Sequence, residues 1–354
     1  MSIAEHAGAL PKSPRMIDVA RLAGVSHQTV SRVLNESPLV SDELRDRVNS
    51  AIRLLGYKRN RAARTLVTRR SMNIGVVCFG IGQYGPSVTL YGMEEAAREA
   101  GYATSLVTIE NTDRDSVLAS LEHLDAIGVD GIAVIAPVKG AMDAVIGFSE
   151  RLPLIAFEPG VAHGASSVSV DEVLGARLAT RHLLSLGHET VRQVSGPPGW
   201  LGTDTRLRGW REELSAHGRV AEDPVAGDWS AASGQAAGRI LARRSDITAV
   251  YVANDQMALG VIQALEDNNR RVPRDVSVVG FDDIPEAAYF RPALTTVRLD
   301  FAAVGRLCVG QLIKTIGGES LPSLSLLQPE LMVRASSAPP NKVSSKYLGK
   351  KGPK

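Results

Sequence analysis

The stretch 17–35 carries polar side chains whose types and spacing suit hydrogen-bonding chemistry. Apolar residues recur at helical spacing between 26 and 34, so His27, Gln28, Ser31 and Arg32 should share the exposed face of a short helix. An arginine can form two hydrogen bonds with the edge of guanine, and a glutamine can form two with adenine. This helix therefore has the side chains needed to contact DNA bases.

The residues before this helix should position it. The spacing predicts another helix near 16–23, Gly24 supplies a left-handed turn, and Ser26 can cap the second helix. In the first helix, Ile17, Val19, Ala20 and Ala23 recur at helical spacing, so one face of this helix should be apolar. Two short helices joined by such a turn are typical of a helix-turn-helix. The alternative is a small helical hairpin with a solvated face.

A third helix should begin after Ser41 and end near Gly56. Its apolar face comprises Leu44, Val48, Ala51, Ile52 and Leu55. The three helices predict a headpiece over residues 15–58, preceded by a flexible arm at 1–14. A short basic segment follows at 59–72, and we expect it to be a hinge helix and linker.

Charge is divided unevenly along this nearly neutral chain. Residues 1–70 carry a balance of +7, residues 341–354 carry +5, and the segment between them carries −10. A basic amino-terminal region on an acidic body is typical of a protein whose headpiece meets phosphates while its body does not. The alternative for the basic run at 57–70 is a solvated charged surface.

From residue 73 onward, short apolar runs alternate with helical segments. The predicted strands are 74–79, 104–108, 131–136, 154–157, 190–195, 249–253 and 276–281. This alternation predicts an α/β core with parallel sheets, and its length favours two doubly wound subdomains that face a cleft. Ligands of such folds bind at the carboxyl ends of the strands.

Composition excludes several classes of protein. No apolar run is long enough to span a bilayer, no signal peptide is evident, and Cys78 and Cys308 have no metal-site or disulfide spacing. We therefore expect a cytoplasmic protein without a metal or cofactor. The segment 338–354 is rich in Pro, Ser and Lys and is predicted to be a disordered tail.

Several motifs in the same order resemble those of the LacI–GalR family of transcription regulators. They are Asp-Val-Ala at 18–20, Ala-Gly-Val-Ser at 23–26, Thr-Val-Ser-Arg-Val-Leu-Asn at 29–35, Gly-Asp-Trp-Ser-Ala-Ala-Ser-Gly at 227–234, Val-Ala-Asn-Asp-Gln-Met-Ala-Leu-Gly at 252–260 and Val-Val-Gly-Phe-Asp-Asp at 278–283. The resemblance implies a DNA-binding headpiece on a core similar to periplasmic sugar-binding proteins. It places the amino-terminal subdomain at 73–170 and 299–328, and the carboxyl-terminal subdomain at 171–298 and 329–337.

The resemblance also implies how the headpiece meets double-stranded operator DNA. The second helix would lie in the major groove, with His27, Gln28 and Arg32 at base edges. Phosphate contacts would come from Ser26, Thr29, Ser31 and Asn35, although Thr29 and Ser31 could instead be structural.

The segment Asn-Arg-Ala-Ala-Arg-Thr-Leu at 60–66 matches the hinge helix of the family. The resemblance places Asn60, Ala63 and Leu66 at the DNA, with Leu66 inserted from the minor groove. An ordinary linker leucine is the alternative for Leu66. A helix this short is marginal in water, so we expect it to form on DNA against its dimer mate.

The effector site implied by the resemblance suits a sugar. Its residues are Glu158, Arg206, Trp229, Asn254, Asp282 and Phe301. The charged and amide groups would bind hydroxyls, and Trp229 would stack on the ring. Trp210 should instead belong to the core.

Some positions depart from the family pattern. Glu158 replaces an Asp, while Gln83, Thr89 and Ile135 replace residues on the amino-terminal side of the pocket. A galactoside, a glucoside or a short oligosaccharide all remain possible effectors.

Regulation should work by a population shift in which the effector favours one arrangement of the core. Induction is favoured over co-repression. We expect a homodimer on a pseudo-palindromic operator, because residues 337–354 contain three prolines and no leucine heptad for a tetramerisation helix.

The two alternative classes of function are an enzyme and a sugar-binding transport protein. An enzyme would need a nucleophile elbow, a phosphate loop or a metal cluster, and none of these is evident in the sequence. A sugar-binding transport protein would have no use for residues 16–67. The sequence therefore predicts a transcriptional regulator, with repression as the expected activity, and not an enzyme.

Overall fold

A computed structural model describes residues 14–35, 37–57, 70–110, 113–135, 145–157, 166–320, 322 and 324–341. The chain divides into two compact units, residues 1–71 and residues 72–354. No helix in the described ranges is both long and apolar enough to cross a membrane. The predicted hinge helix, with Asn60, Ala63 and Leu66, lies outside the described residues, and so does Glu158.

The first unit contains the three predicted helices, α1 (Met16–Ala23), α2 (His27–Leu34) and α3 (Asp42–Leu55). Their buried residues form one small core: Val19, Ala20, Ala23, Val30, Val33, Val40, Val48, Ala51 and Tyr57. Ile17 belongs to the apolar face of α1 but is 50% exposed. Residues 19, 20 and 23 already fill the face of this two-turn helix that meets the core.

The turn between α1 and α2 has the predicted features. Gly24 adopts a left-handed φ of 62°, and the Ser26 side chain accepts a hydrogen bond from the Thr29 amide at 3.1 Å. Arg47 of α3 donates to the Ala23 carbonyl at 2.7 Å and so caps the end of α1. Contacts from α2 and from α3 therefore hold this turn in place.

The second unit contains two six-stranded sheets, and the first follows the order β11–β5–β4–β3–β1–β2. Its strands are β1 (Asn73–Phe79), β2 (Ala103–Ile109), β3 (Gly131–Ile135), β4 (Leu154–Phe157), β5 (Ser167–Val170) and β11 (Leu324–Leu327). All neighbours in this sheet pair in parallel.

The second sheet follows the order β12–β10–β9–β8–β6–β7. Its strands are β6 (Arg192–Ser195), β7 (Val225–Ala226), β8 (Ala249–Val252), β9 (Ser277–Asp282), β10 (Thr295–Arg298) and β12 (Glu330–Met332). Only β12 is antiparallel to its neighbour. The chain therefore passes from one sheet to the other three times, after β5, after β10 and after β11.

Helices connect the strands of both sheets, as expected for a doubly wound fold. They are α4 (Tyr84–Glu99), α5 (Arg114–Ile127), α6 (Glu172–Ser185), α7 (Leu201–Ala216), α8 (Ala231–Ala242), α9 (Asp255–Asp267) and α10 (Phe301–Ile316). Trp210 of α7 is fully buried and donates to the Val191 carbonyl at 3.0 Å, which confirms it as a core residue.

The ordered carboxyl-terminal segment extends beyond the predicted boundary at residue 337 and contacts the second sheet. The backbone amide of Ala338 donates to the Ser277 hydroxyl at 3.0 Å, and that hydroxyl in turn donates to the Ala338 carbonyl at 2.9 Å. His182 lies 2.9 Å from the Ser337 hydroxyl. The start of the predicted tail is therefore hydrogen-bonded to the core, while residues 342–354 lie outside the described residues.

Candidate functional site

A small cavity of about 60 Å³ lies in the second unit, between the two sheets. It opens where parallel strands end, because Asp282 is the last residue of β9 and Asn254 follows β8. Five of the six expected effector residues line it: Arg206, Trp229, Asn254, Asp282 and Phe301. The sixth, Glu158, is outside the described residues.

Arg206 is the buried cation of this cavity. Its Nη2 donates to Glu172 Oε1 at 2.9 Å and lies 3.3 Å from Asp282 Oδ1, and its Nη1 donates to the Ala253 carbonyl. Burial lowers the pKa of Arg206, but the charges of Glu172 and Asp282 outweigh burial and raise it above its usual range. The guanidinium therefore stays charged and fixed in place.

Asp282 has an unusual environment for a carboxylate. Burial raises the pKa of Asp282 to about 7, and the charge of Arg206 opposes this rise without cancelling it. Its Oδ1 is within ion-pair distance of Arg206 but accepts no directed hydrogen bond from any described residue. This buried oxygen keeps the capacity to accept one more hydrogen bond.

The backbone that presents Asp282 is strained and held by its neighbours. Asp282 and Asp283 have φ values of 102° and 55°, in the left-handed region that non-glycine residues rarely adopt. The next amide, of Ile284, donates to Asp255 Oδ2 at 2.9 Å, and the Thr296 hydroxyl donates to Asp255 Oδ1 at 2.6 Å. Asp255 therefore fixes the turn that directs Asp282 into the cavity.

Asn254 has a larger structural role than the sequence predicts. Its Oδ1 caps α9 by accepting from the Met257 amide at 3.0 Å. Its Nδ2 donates to the Trp229 carbonyl at 3.0 Å and to Gln256 Oε1 at 2.9 Å. Both amide hydrogens are used, so Asn254 can only accept from a ligand while these bonds persist.

Trp229 forms one wall of the cavity. Its ring lies against Gly196, where a Cβ atom would overlap the indole, and the Arg206 guanidinium lies 5.4 Å from the ring centre. The indole Nε1 is buried and has no hydrogen-bond partner among the described residues. A buried donor without a partner costs about 1–3 kcal/mol, so this group favours a ligand that accepts from it.

Phe301 closes the cavity from the side of the first sheet. Its ring packs edge-on against Tyr84 at 6.0 Å and Phe157 at 6.3 Å. Gln83 also lines the cavity, as expected. Thr89 and Ile135 were expected there as well, but they are fully buried and lie outside the lining, so that prediction was wrong.

Eight of the described residues that line the cavity were not predicted: Tyr84, Gly85, Pro86, Phe157, Glu172, Trp200, Gly202 and Gln256. Glu172 begins α6 and binds Arg206 with both carboxylate oxygens, 34 residues away in sequence. No local pattern indicates such a pair. Trp200 could have been suspected, because a lone tryptophan in a loop next to a predicted strand is poorly explained by a core role.

In the first unit, the polar face of α2 is accessible. Ser26, His27, Gln28, Arg32 and Asn35 are exposed, while Thr29 and Ser31 are half-buried. The Ser26 and Thr29 hydroxyls lie 2.9 Å apart, so one donates to the other and the second hydroxyl hydrogen of the pair stays available.

Within the described ranges, no group of three His, Cys, Asp or Glu side chains could hold a metal ion.

Comparisons with known proteins agree with both units. The profile of bacterial regulatory proteins of the lacI family matches residues 15–60, and that of periplasmic binding protein-like domains matches residues 180–337. The lactose operon repressor of Escherichia coli (strain K12) is 32% identical over 335 residues, which cover 93% of this chain and 92% of the repressor. The chain belongs to the lacI family of bacterial regulatory proteins.

Other members of the lacI family are similar over nearly the whole chain. The HTH-type transcriptional regulator CelR of Thermobifida fusca is 35% identical over 350 residues, covering 92% of this chain and 98% of CelR. A Lac repressor dimer bound to operator and the anti-inducer ONPF superposes with a TM-score of 0.85 at 31% identity, covering 92% of this chain and all of that chain. A CelR–cellobiose complex superposes with a TM-score of 0.69 at 30% identity, covering 92% of this chain and 100% of that chain.

Membership in the lacI family confirms the predicted fold class, with a helix-turn-helix unit and a core of two mostly parallel sheets. It also confirms the interpretation of the chain as a transcription regulator and not an enzyme.

Proposed function

We propose that this protein is a transcriptional repressor that binds operator DNA through residues 26–35 and the hinge segment 60–66. A small sugar in the cavity of the second unit would lower its affinity for the operator. The proposal rests most heavily on one observation, that the cavity walls carry a buried donor and a buried acceptor, Trp229 Nε1 and Asp282 Oδ1, without partners among the described residues.

These two atoms suit a polyhydroxylated ligand. One sugar hydroxyl can accept from Trp229 Nε1 and another can donate to Asp282 Oδ1, while an indole face packs on the weakly polar face of the ring. The Arg206 guanidinium is already shared by Glu172 and Asp282, so this site holds more negative than positive charge. That balance disfavours an anionic effector such as a sugar phosphate.

The exposed face of α2 supports the DNA-binding half of the proposal. His27, Gln28 and Arg32 extend from one side of this helix, whose other side is buried in the headpiece. Each bidentate contact to a base would contribute about 1–3 kcal/mol of discrimination between base pairs. Ser26, Thr29, Ser31 and Asn35 would bind phosphates and set the position of the helix.

The assembly we propose is a homodimer on a pseudo-palindromic operator, because a two-fold protein requires two matching half-sites. Lac repressor has been crystallised as a dimer bound to operator. Residues 337–354 of this chain include Pro339, Pro340 and Pro353 and contain no leucine heptad, so we propose no tetramer. Such a DNA-binding protein would act in the cytoplasm.

The effector half can be tested by a thermal-shift screen of the full-length protein against methyl glycosides and disaccharides. At a ligand concentration of 100 times Kd, binding should stabilise the protein by about 2.7 kcal/mol. For a unit of this size, we expect Tm to rise by several degrees.

The matched variants are Trp229→Phe, which removes the indole donor and keeps an aromatic face, and Asp282→Asn, which keeps the shape of the carboxylate. Both should reduce the shift given by the best sugar. A screen in which no sugar raises Tm would refute the proposed effector class. Equal shifts in the wild type and both variants would show that sugars bind elsewhere.

A further inference from the structure

Two adjacent aspartates at the end of β9 have different surroundings. Asp282 lines the cavity, whereas Asp283 is not part of the lining and its side chain is only 5% exposed. Both residues have φ values in the left-handed region, where a non-glycine residue persists only when its neighbours hold it. The contacts of Asp283 therefore affect the backbone conformation that presents Asp282.

Two arginines bind the Asp283 carboxylate, one at each oxygen. Arg298 Nε donates to Oδ2 at 2.8 Å, and Arg334 Nη2 donates to Oδ1 at 2.6 Å. Hydrogen bonds between two charged groups are shorter and stronger than those between neutral groups, so they hold this side chain firmly. We call Asp283, Arg298 and Arg334 the arginine clamp.

The arginines of the clamp are themselves fixed. Arg298 is the last residue of β10 and lies opposite Asp282 in the parallel pairing with β9. Arg334 donates from Nη1 to the Leu294 carbonyl at 2.8 Å and from its backbone amide to the Thr295 hydroxyl at 2.9 Å. The clamp thus joins the turn after β9 to two segments that lie 15 and 51 residues away in sequence.

The turn after β9 is therefore supported at two points. Asp255 accepts from the backbone amide of Ile284, and the clamp holds the side chain of Asp283. Neither Asp283 nor the two clamp arginines line the cavity. The clamp can affect a ligand only through the residue that it positions.

We propose that Asp283, held by Arg298 and Arg334, is a positioning residue for effector binding, because it keeps Asp282 in the strained conformation that places its carboxylate at the cavity. This inference rests on the proposed function and names residues that control the same site. Without the clamp, the turn would populate relaxed conformations. Apparent affinity falls by the fraction of molecules that keep the binding conformation, so one molecule in ten corresponds to a tenfold loss.

The test variant is Asp283→Asn, and its matched control is Asp246→Asn. Asparagine tolerates a left-handed φ as aspartate does, but its amide would direct N–H groups at one of the arginines. Asp246 also pairs with two arginines, Arg244 and Arg192. It precedes β8, at the opposite end of the strand from the cavity, so its loss should not affect the turn after β9.

Hydrogen exchange of the full-length protein, measured by mass spectrometry, tests the turn without any ligand. The Ile284 amide, which donates to Asp255, should exchange tenfold or more faster in Asp283→Asn than in the wild type. Exchange of this amide should be unchanged in Asp246→Asn. Arg298→Gln removes one arm of the clamp at a half-exposed position and should give about a threefold increase, which keeps the test available if Asp283→Asn does not fold.

Isothermal titration calorimetry at pH 8 then measures the effect on binding of methyl β-D-glucoside, methyl β-D-galactoside and cellobiose. Asp283→Asn should bind the tightest of these sugars tenfold or more weakly than the wild type, and Asp246→Asn should bind it within twofold. In the Asp282→Asn background, adding Asp283→Asn should cost less than threefold, because the clamp acts through Asp282.

The pH dependence of binding separates positioning from a general loss of stability. A relaxed turn would expose Asp282 to water, so burial would no longer raise the pKa of its carboxyl to about 7. Sugar affinity of Asp283→Asn should then change less than threefold between pH 8 and pH 6. The wild type should lose about tenfold over the same range.

Unchanged exchange of the Ile284 amide in both Asp283→Asn and Arg298→Gln, or unchanged sugar affinity in both, would overturn the inference and leave the proposed function intact. An affinity loss that keeps the pH dependence of the wild type and persists in the Asp282→Asn background would show that the clamp only stabilises the fold. If none of the three sugars binds the wild type, the proposed sugar effector is contradicted, and the role of the clamp in binding with it.

Discussion

The raised pKa of Asp282 predicts that sugar binding depends on pH. An effector hydroxyl that donates to this carboxylate requires its ionised form. Since burial raises the pKa of Asp282 to about 7, the binding form predominates at pH 8 and is largely lost at pH 6. Sugar affinity should therefore fall as the pH falls through 7.

The size of the effect follows from the position of the pKa. Between pH 8 and pH 6, the ionised fraction changes from about nine-tenths to about one-tenth, so the affinity should fall about tenfold, or about 1.4 kcal/mol. The charge of Glu172 contributes to the raised pKa of Asp282, and the charge of Arg206 opposes it. Binding at pH 6 should release close to one proton per site.

Calorimetry at pH 6, 7 and 8, in two buffers with different ionisation enthalpies, measures both affinity and proton release. The Asp282→Asn variant should bind more weakly, with an affinity that does not change between pH 6 and 8. This control also separates Asp282 from His182 and His188, whose pKa values burial lowers. A wild-type affinity that is equal at pH 6 and pH 8, without proton release, would refute the assigned role of Asp282.

Three further predictions concern other parts of the molecule. Asp255→Ala removes the hydrogen bonds that Asp255 accepts from the Ile284 amide, two residues after Asp282, and from the Thr296 hydroxyl of β10, so sugar affinity should fall tenfold or more in calorimetry. Asp255→Asn should retain most of the affinity, and equal affinities in all three proteins would contradict this. Trp210→Phe should reduce the free energy of unfolding by about 2–4 kcal/mol in urea titrations, because it leaves a void and an unpaired carbonyl, while the exposed Val220→Ala should change it by less than about 0.5 kcal/mol. Leu66→Ala should weaken operator binding far more than nonspecific DNA binding in gel shifts, and equal losses on both DNAs would exclude an inserted leucine.

The sequence predicted the headpiece well because its helices have strong local signals. An apolar stripe at helical spacing, a glycine after α1 and a glycine after α3 mark each boundary, and α3 ends before Gly56 as expected. Ile17 lies on the apolar face of α1 and is still half exposed, because α1 has only two turns. Periodicity shows which residues could face a core, but not how many of them the core can cover.

In the second unit, seven of the twelve described strands were predicted, and β5, β7, β10, β11 and β12 were missed. β5 reads Ser-Val-Ser-Val and is fully buried, because it lies between β4 and β11 in a sheet with helices on its faces. Alternation of this kind is typical of a half-exposed strand. Only the position of the strand within the sheet explains its burial.

Site residues that lie in sequence motifs could be predicted. Site residues that depend on contacts between distant segments could not. Arg206 and Asp282 could be recognised by family resemblance, but the pairing of Arg206 with Glu172 depends on how α6 and α7 pack. Trp200 could be assigned to the site only from the fold, which places its ring against Phe79. The hydrogen bond from Asn254 to the Trp229 carbonyl likewise joins two segments that are distant in sequence.

The central claim is that a sugar in the cavity weakens binding to operator DNA. It can be tested with fluorescence anisotropy on a labelled duplex selected from random DNA by the full-length protein, with and without a saturating amount of the best sugar. We predict that the sugar lowers operator affinity tenfold or more for the wild type, because an effector shifts the equilibrium only by its differential affinity for the two states. The same sugar concentration should have little effect on the Asp282→Asn variant. Operator affinity that is unchanged or increased when the cavity is filled would contradict the account.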